Sequence, residues 1–567
     1  MLVSSILNGS DFFTKKEISM IAYPLGEILK EMGVVTDAQL EAALHAQKAS
    51  HMKVGELLVE LNFVTPKELA RAVSIQKDID YVDIESVVPQ SDALALIEQE
   101  FAQVNTLLPL KLEGDTLHVV TADPDEQMLD YLREMTGKQI QFALSDFHSI
   151  VKFSRFYYEQ PENSIETKIE KIIEHIDDQS DVVDLASLII DSAFINRATD
   201  IHIMPEVVSS HIFYRIDGVL QHFYALPSTL HYPLISHLKI LGKLDIAQNI
   251  KIQSGEFSVS FLEADHPIRI SAVPTSKGEK IALRLQSADF ALYALEDLGY
   301  TPAMIETIDT YLNKGSGMLL VIGPSGSGKT STLYAMMRRI NILERNVVSI
   351  EEPVEFRLPF VSQIEVNPPA GLTYAKGLKH IARQDPNVIV IGEVLDQETA
   401  QLAIQSSLSG QLVLTTNFGN NPSSTFSKLK DYHIDFHSLA DGLSAIITQR
   451  LVRRLCHHCK EAVEMDRERL LREFPAAEEV LRSGKDSFQV YTPKGCTHCK
   501  GSGYHGRIVL ATLFEVDQRV RDMLLRNADL FDSEHYVSDK HIKNFEEDAL
   551  FKVLQGHTSI EEVKRVL

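Results

Sequence analysis

Five apolar residues in succession, Met318-Leu319-Leu320-Val321-Ile322, end at a glycine-rich turn, and helix-like STLYAMMRRI follows that turn. An unbroken apolar run of this kind predicts a strand covered on both faces of a parallel sheet. A second run, Ile389-Val390-Ile391, ends at Gly392-Glu393. Elsewhere apolar and polar positions alternate. HIFYRIDGVLQHFY and HPIRISAVPT, within 182–297, read as half-buried strands and predict a separate α/β domain. KLEGDTLHVVTADP reads as strand, turn, strand leading to helix-like EQMLDYLREM, which gives residues 77–159 a mixed α/β character. NSIETKIEKIIEHIDDQSD has helical periodicity, many charges and no aromatic ring, and suits a linker placed at 160–181.

The chain opens with a repeat. PLGEILKEMGVVTDAQLEAALHAQ (24–47) aligns without gaps to KVGELLVELNFVTPKELARAVSIQ (53–76), with nine identities that include Gly26/Gly55, Leu40/Leu69 and Gln47/Gln76. Each half predicts a short helix, a turn and a second helix. Thr36 with Gln39, and Thr65 with Glu68, have the spacing of capping boxes, and Pro66 suits a first helical position.

Composition narrows the function. The chain has 567 residues and a formal charge of −24, which argues against a nucleic-acid motor and against direct docking on anionic lipid. No run reaches the roughly 18 apolar residues of a membrane span, and MLVSSILNGSDFFTKK lacks a basic start ahead of a long apolar core. A cytoplasmic protein that reaches a membrane only through protein partners is expected.

Two motifs carry chemistry. Gly323-Pro324-Ser325-Gly326-Ser327-Gly328-Lys329-Thr330, followed by Ser331, fits the phosphate-binding loop pattern in full. Its glycines let backbone N–H groups converge on phosphate oxygens. Lys329 is the expected contact to the β- and γ-phosphates, and Thr330 the expected ligand of Mg²⁺, so ATP is the expected ligand. The four cysteines form two Cys-x-x-Cys pairs, Cys456/Cys459 and Cys496/Cys499, with 36 residues between them. That spacing matches a closed four-thiolate zinc site that staples a subdomain, with His457, His458 and His498 as competing ligands.

Read together and in order, ATDIHI, YRIDGVL, the phosphate loop, IEEPVEF, RQDPNVIVIGE, TQRLVRRLCHHC and GYHGR resemble the ATPases of type II secretion and type IV pilus assembly (GspE/PilB-like) over almost the whole chain. The resemblance implies an α/β multidomain fold: a RecA-like P-loop core at 298–567 with a tetracysteine zinc subdomain at about 450–507, a PAS-like α/β domain at 182–297, an α/β N-terminal domain at 77–159 and a helical domain at 1–76. It implies a homo-hexamer that acts on an inner-membrane platform protein, peripheral at that membrane, with rotation about 286–298. Glu393 matches the Walker B carboxylate, Glu352 and Glu355 the acidic box beside Glu351, and Arg269 and Arg284 the arginines that reach a neighbouring subunit's nucleotide. The chain departs from the family at Gln411 and Phe418, where histidines are usual, at Glu256 and Leu395, where arginine is usual, and at Glu352, where aspartate is usual. These departures imply an ATPase that binds ATP but turns it over slowly or with a partner, the alternative being a regulatory scaffold subunit.

The repeat is similar to the cyclic-di-GMP-binding N-terminal domain of MshE-type ATPases. Its units begin with Pro24 and Lys53 instead of the usual arginine, and Asn62 replaces a glycine. Ligand binding and a docking role without ligand both stay open on that resemblance.

Overall fold

The computed structural model describes residues 24–50, 52–84, 87–158, 165–174, 179–261, 264–285, 293–481, 485–525 and 544–567. The chain's opening residues, parts of the linker expected at 160–181 and residues 286–292 of the segment 286–298 expected to allow rotation lie outside these. Contacts divide the protein into two units, Met1–Tyr158 and Glu159–Leu567.

In the first unit the repeat folds as helices Leu25–Glu31, Asp37–Gln47, Val54–Glu60 and Pro66–Lys77. Thr36 Oγ1 accepts from the Gln39 N–H at 3.3 Å, and Gln39 Oε1 accepts from the Thr36 N–H at 2.9 Å. Thr65 and Glu68 exchange the same two bonds at 3.0 and 2.7 Å, so both expected capping boxes are present. The repeated glycines have a packing cause. A Cβ on Gly26 would fall 2.7 Å from Leu40, and one on Gly55 2.9 Å from Leu69, so each short helix lies against the leucine repeated in its longer neighbour. Beyond the repeat, strands Leu107–Glu113 and Thr116–Thr121 form a hairpin through Gly114, whose φ is 62°. Helix Glu126–Thr136 then crosses to strand Gln139–Leu144, parallel to Thr116–Thr121.

The second unit holds two large sheets. One has six antiparallel strands in the order Val219–Pro227, Ser209–Ile216, Ala198–Pro205, Gly278–Leu285, Ala264–Thr275 and Gln253–Phe261. Helices Gln179–Ile195 and His231–Leu241 close one face, where Leu185, Ile189, Leu234 and Leu238 share a core with Ile201, Ile212, Ile270 and Leu283. Cross-strand partners share a face, and the opposite face carries a charged row in register: Glu256, Arg269, Arg284, Asp200 and Arg215.

The other sheet has seven strands in the order Ser362–Glu365, Val347–Glu351, Val388–Ile391, Leu412–Asn417, Gly317–Ile322, Leu443–Leu455 and Tyr504–Glu515. All neighbours are parallel except the last pair. Gly317–Ile322 is buried throughout. Met318, Leu320 and Ile322 enter one core, whereas Leu319 and Val321 enter the other. Both apolar runs are thus strands covered on two faces, as their lack of alternation predicts.

Gly255 shows how closely the six-stranded sheet meets its neighbours: a Cβ there would fall 2.2 Å from the Gly242 carbonyl oxygen. That oxygen belongs to backbone and cannot swing aside. Gly255→Ala is expected to destabilise the protein by about 1–3 kcal/mol, read as a lower urea midpoint for loss of secondary structure.

Candidate functional site

The loop Gly323–Gly328 sits at the C-terminal end of its buried strand, before helix Lys329–Arg338. Gly326 and Gly328 have φ of 72° and 85°, a region that only glycine enters freely. Pro324, Ser325 and Gly326 are exposed at the tip, Gly323 and Ser327 are buried, and Gly328 to Ser331 are half-buried. The helix start directs unsatisfied N–H groups and a positive dipole end at the loop, an arrangement that can cradle a phosphate. Lys329 Nζ donates to the carbonyl oxygens of Gly323 and Pro324, at 3.1 Å each, and lies 4.4 Å from the centre of the Phe418 ring.

The charges of Glu393 and this lysine act on one another. Burial raises its carboxyl above the ordinary range, while the charges of Lys329 and Lys428 oppose the rise. Burial lowers the Lys329 ammonium; Glu393 opposes this and Arg450 adds to it. Lys428 Nζ in turn donates to Asn417 Oδ1 at 2.7 Å. The Tyr374 hydroxyl is pushed up by burial and then by the charges of Glu352, Glu393 and Glu351, so all three carboxylates act on one group.

The three glutamates of the expected acidic box differ in their surroundings. Glu351 is buried and accepts from the Tyr334 hydroxyl at 2.6 Å, the Ser349 hydroxyl at 2.5 Å and Gln363 Nε2 at 3.2 Å. Glu352 is exposed and Glu355 half-buried. Glu355 is raised by burial and then by Glu351, against the charges of Arg269 and Arg284. The charges of the two arginines therefore act on Glu355 of their own chain. Arg284 Nε also donates to Asp200 Oδ1 at 3.0 Å.

The departures do not all lie at the site. Gln411 precedes strand Leu412–Asn417, and its carbonyl accepts from the Gly317 N–H at 3.2 Å. It stands at the end of the parallel sheet opposite the loop, so its difference from histidine does not bear on a bound phosphate, contrary to the sequence expectation. Phe418, at the other end of that strand, does bear on it. Leu395 is exposed. Glu256 stands opposite Arg269 in register, so the exchange sets a carboxylate beside an arginine of the charged row. Gln449, Arg450, Lys428 and Tyr374 were not singled out in the sequence. Only the TQR of TQRLVRRLCHHC marked two of them.

The four cysteine sulfurs lie within 4.8 Å of one another, with Sγ–Sγ distances of 3.8 Å for Cys456–Cys496 and 3.7 Å for Cys459–Cys499 and Cys496–Cys499. A tetrahedron with Zn–S bonds of about 2.3 Å has edges of about 3.8 Å. The donor set therefore fits zinc. Backbone N–H groups donate to the sulfurs, from Gly495 to Cys459 at 3.3 Å and from Cys496 and Gly503 to Cys499 at 3.2 Å each, which favours thiolates. Among the described residues the cluster holds sulfur ligands alone; the His458 ring packs on that of His498 at 4.5 Å.

The family described as Type II/IV secretion system protein matches residues 175–565. The chain belongs to this family. An MshEN domain matches residues 78–163, beyond the helical repeat that carried the MshE-type resemblance. A type IV pilus assembly ATPase PilB of Thermus thermophilus is 33% identical over 509 residues, 87% of this chain; the chain spans 56% of that relative's length. The type II secretion system protein E of Dickeya dadantii is 33% identical over 84% of this chain and 91% of its own. Among solved structures, the Legionella pneumophila ATPase DotB is 19% identical, with a TM-score of 0.49 over 67% of this chain and 94% of that one.

Two outcomes follow from this geometry. The purified chain is expected to hold one equivalent of zinc, measured by metal analysis, and a strong chelator or Cys496→Ser should release it and lower the melting temperature. The raised Glu355 carboxyl makes the folded state bind more protons than the unfolded state above pH 4.5, so stability falls as pH rises toward the folded value. Glu355→Gln removes that loss. It should melt higher than the parent at pH 7.5, and the difference should vanish near pH 4.

Proposed function

We propose that this chain is a hexameric ATPase that drives assembly of a type IV pilus or a type II secretion pseudopilus. The observation that carries the reading is the phosphate loop, with Lys329 folded onto its carbonyls and the charge of Glu393 acting on that lysine. ATP binds with its β- and γ-phosphates against Lys329 and the backbone of Gly323 to Ser331. Thr330 holds Mg²⁺, and Glu393 orients the attacking water with Glu352 and Glu355 at the metal's outer shell. Arg269 and Arg284 offset charge developing on the phosphoryl group, from the same or a neighbouring subunit. The six-stranded domain, PAS-like in this reading, turns against the core as nucleotide is exchanged and moves an inner-membrane platform protein. Zinc on Cys456, Cys459, Cys496 and Cys499 supplies structure, since four thiolates leave no open position.

Turnover is slow. Phe418 is beside Lys329 and has no group to donate to a phosphate oxygen. Cyclic-di-GMP binding by the repeat is weak or lost in this reading, because Pro24 and Lys53 stand where a planar arginine would stack on a base and fork to its acceptors.

Steady-state phosphate release tests the central reading. Lys329→Ala should abolish nucleotide binding. Glu393→Gln should keep binding and lose turnover by about a hundredfold or more. Phe418→His should turn over faster than the parent. A parent chain that binds ATP but releases phosphate no faster than Glu393→Gln would establish the regulatory scaffold instead. Calorimetry with cyclic-di-GMP is expected to be flat up to high protein concentration.

A further inference from the structure

One buried amide joins the phosphate loop to three other elements. Gln449 is fully buried and follows Thr448, the residue paired with Ile322 at the end of the loop's strand. Its Nε2 donates to the Ser327 carbonyl at 2.6 Å. Its Oε1 accepts from the hydroxyls of Tyr300 at 2.7 Å and Thr332 at 2.9 Å, and both of those side chains are buried. The reverse amide orientation would set Oε1 against a carbonyl oxygen, so the hydrogen-bond pattern fixes it. The backbone fits as closely: a Cβ on Gly323 would lie 2.6 Å from the Gln449 carbonyl oxygen.

A trans peptide points its C=O and N–H in opposite directions. The Ser327 carbonyl, drawn toward Gln449, therefore turns the Gly328 N–H away from Gln449 at the very start of helix Lys329–Arg338. Donors there are the ones an anion meets at a helix start. We infer that Gln449 is a positioning residue that sets the Ser327–Gly328 peptide and so aims a backbone donor of the anion cradle. Thr332 and Tyr300 hold the amide in that orientation. The inference rests on the nucleotide-binding reading above.

Equilibrium binding of a fluorescent ADP to the full chain, with displacement by pyrophosphate, tests it. Gln449→Met keeps side-chain length and removes both the donor and the acceptor; Gln449→Asn keeps an uncharged amide but is one methylene too short to reach Ser327. Either variant is expected to weaken both ADP and pyrophosphate at least tenfold, and Gln449→Asn decides the matter if Gln449→Met does not fold. Leu439→Ala, a truncation in the core on the other side of the sheet from Leu319 and Val321, serves as the stability control. It should melt lower yet bind within twofold of the parent. Parent-like binding by a folded Gln449 variant overturns the inference, as does an equal loss of affinity in Leu439→Ala. A parent chain that binds no ADP overturns the proposed function itself.

Discussion

A strand of six residues buried on both faces fixes the position of everything at the candidate site. Gly317–Ile322 pairs in parallel with Leu412–Asn417 on one side and Leu443–Leu455 on the other, and its side chains divide between two cores. Such a strand has no freedom to shift register, because a one-residue slip would exchange the two sets of packed side chains. The glycine-rich loop leaves it at a set point and direction. Its two neighbours and the next strand beyond Leu412–Asn417 each deliver one group to the same end of the sheet: Phe418 after Leu412–Asn417, Gln449 in Leu443–Leu455, and Glu393 after Val388–Ile391.

The electrostatics there are those of an unequal balance. Lys329 and Lys428 bring positive charge to bear on Glu393, Arg450 acts on Lys329, and the charges of Glu352, Glu393 and Glu351 act on the Tyr374 hydroxyl. Burial disfavours the charged form of Lys329 and of Glu393 alike. The proposed ligand, a polyanion carrying Mg²⁺, would answer both needs, its phosphates satisfying the cations and its metal the carboxylates. Groups held off their ordinary protonation range by burial and by named partners are a mark of functional sites.

Much of this was legible in the chain. The phosphate loop needs a contiguous pattern, and so do the paired cysteines and the capping boxes; each lies within one stretch of sequence and is found there. The same holds for the strand runs, because burial on two faces leaves no polar positions. What escaped was set by register between distant segments. Gln449 meets Ser327 only because two strands pair in parallel, and Glu256 meets Arg269 only because a hairpin brings them opposite. Gln411 differs from its expectation for the same reason. Its neighbours in sequence lead to the site, but a whole strand separates it from the loop.

A structure of the full chain with Mg²⁺ and a non-hydrolysable ATP analogue tests the central claim most directly. The account predicts the β- and γ-phosphates within hydrogen-bond reach of Lys329 Nζ, which will have left the carbonyls of Gly323 and Pro324, with Thr330 on the metal and the Phe418 ring displaced. Nucleotide bound elsewhere, or bound with Lys329 still donating to its own loop, would contradict it.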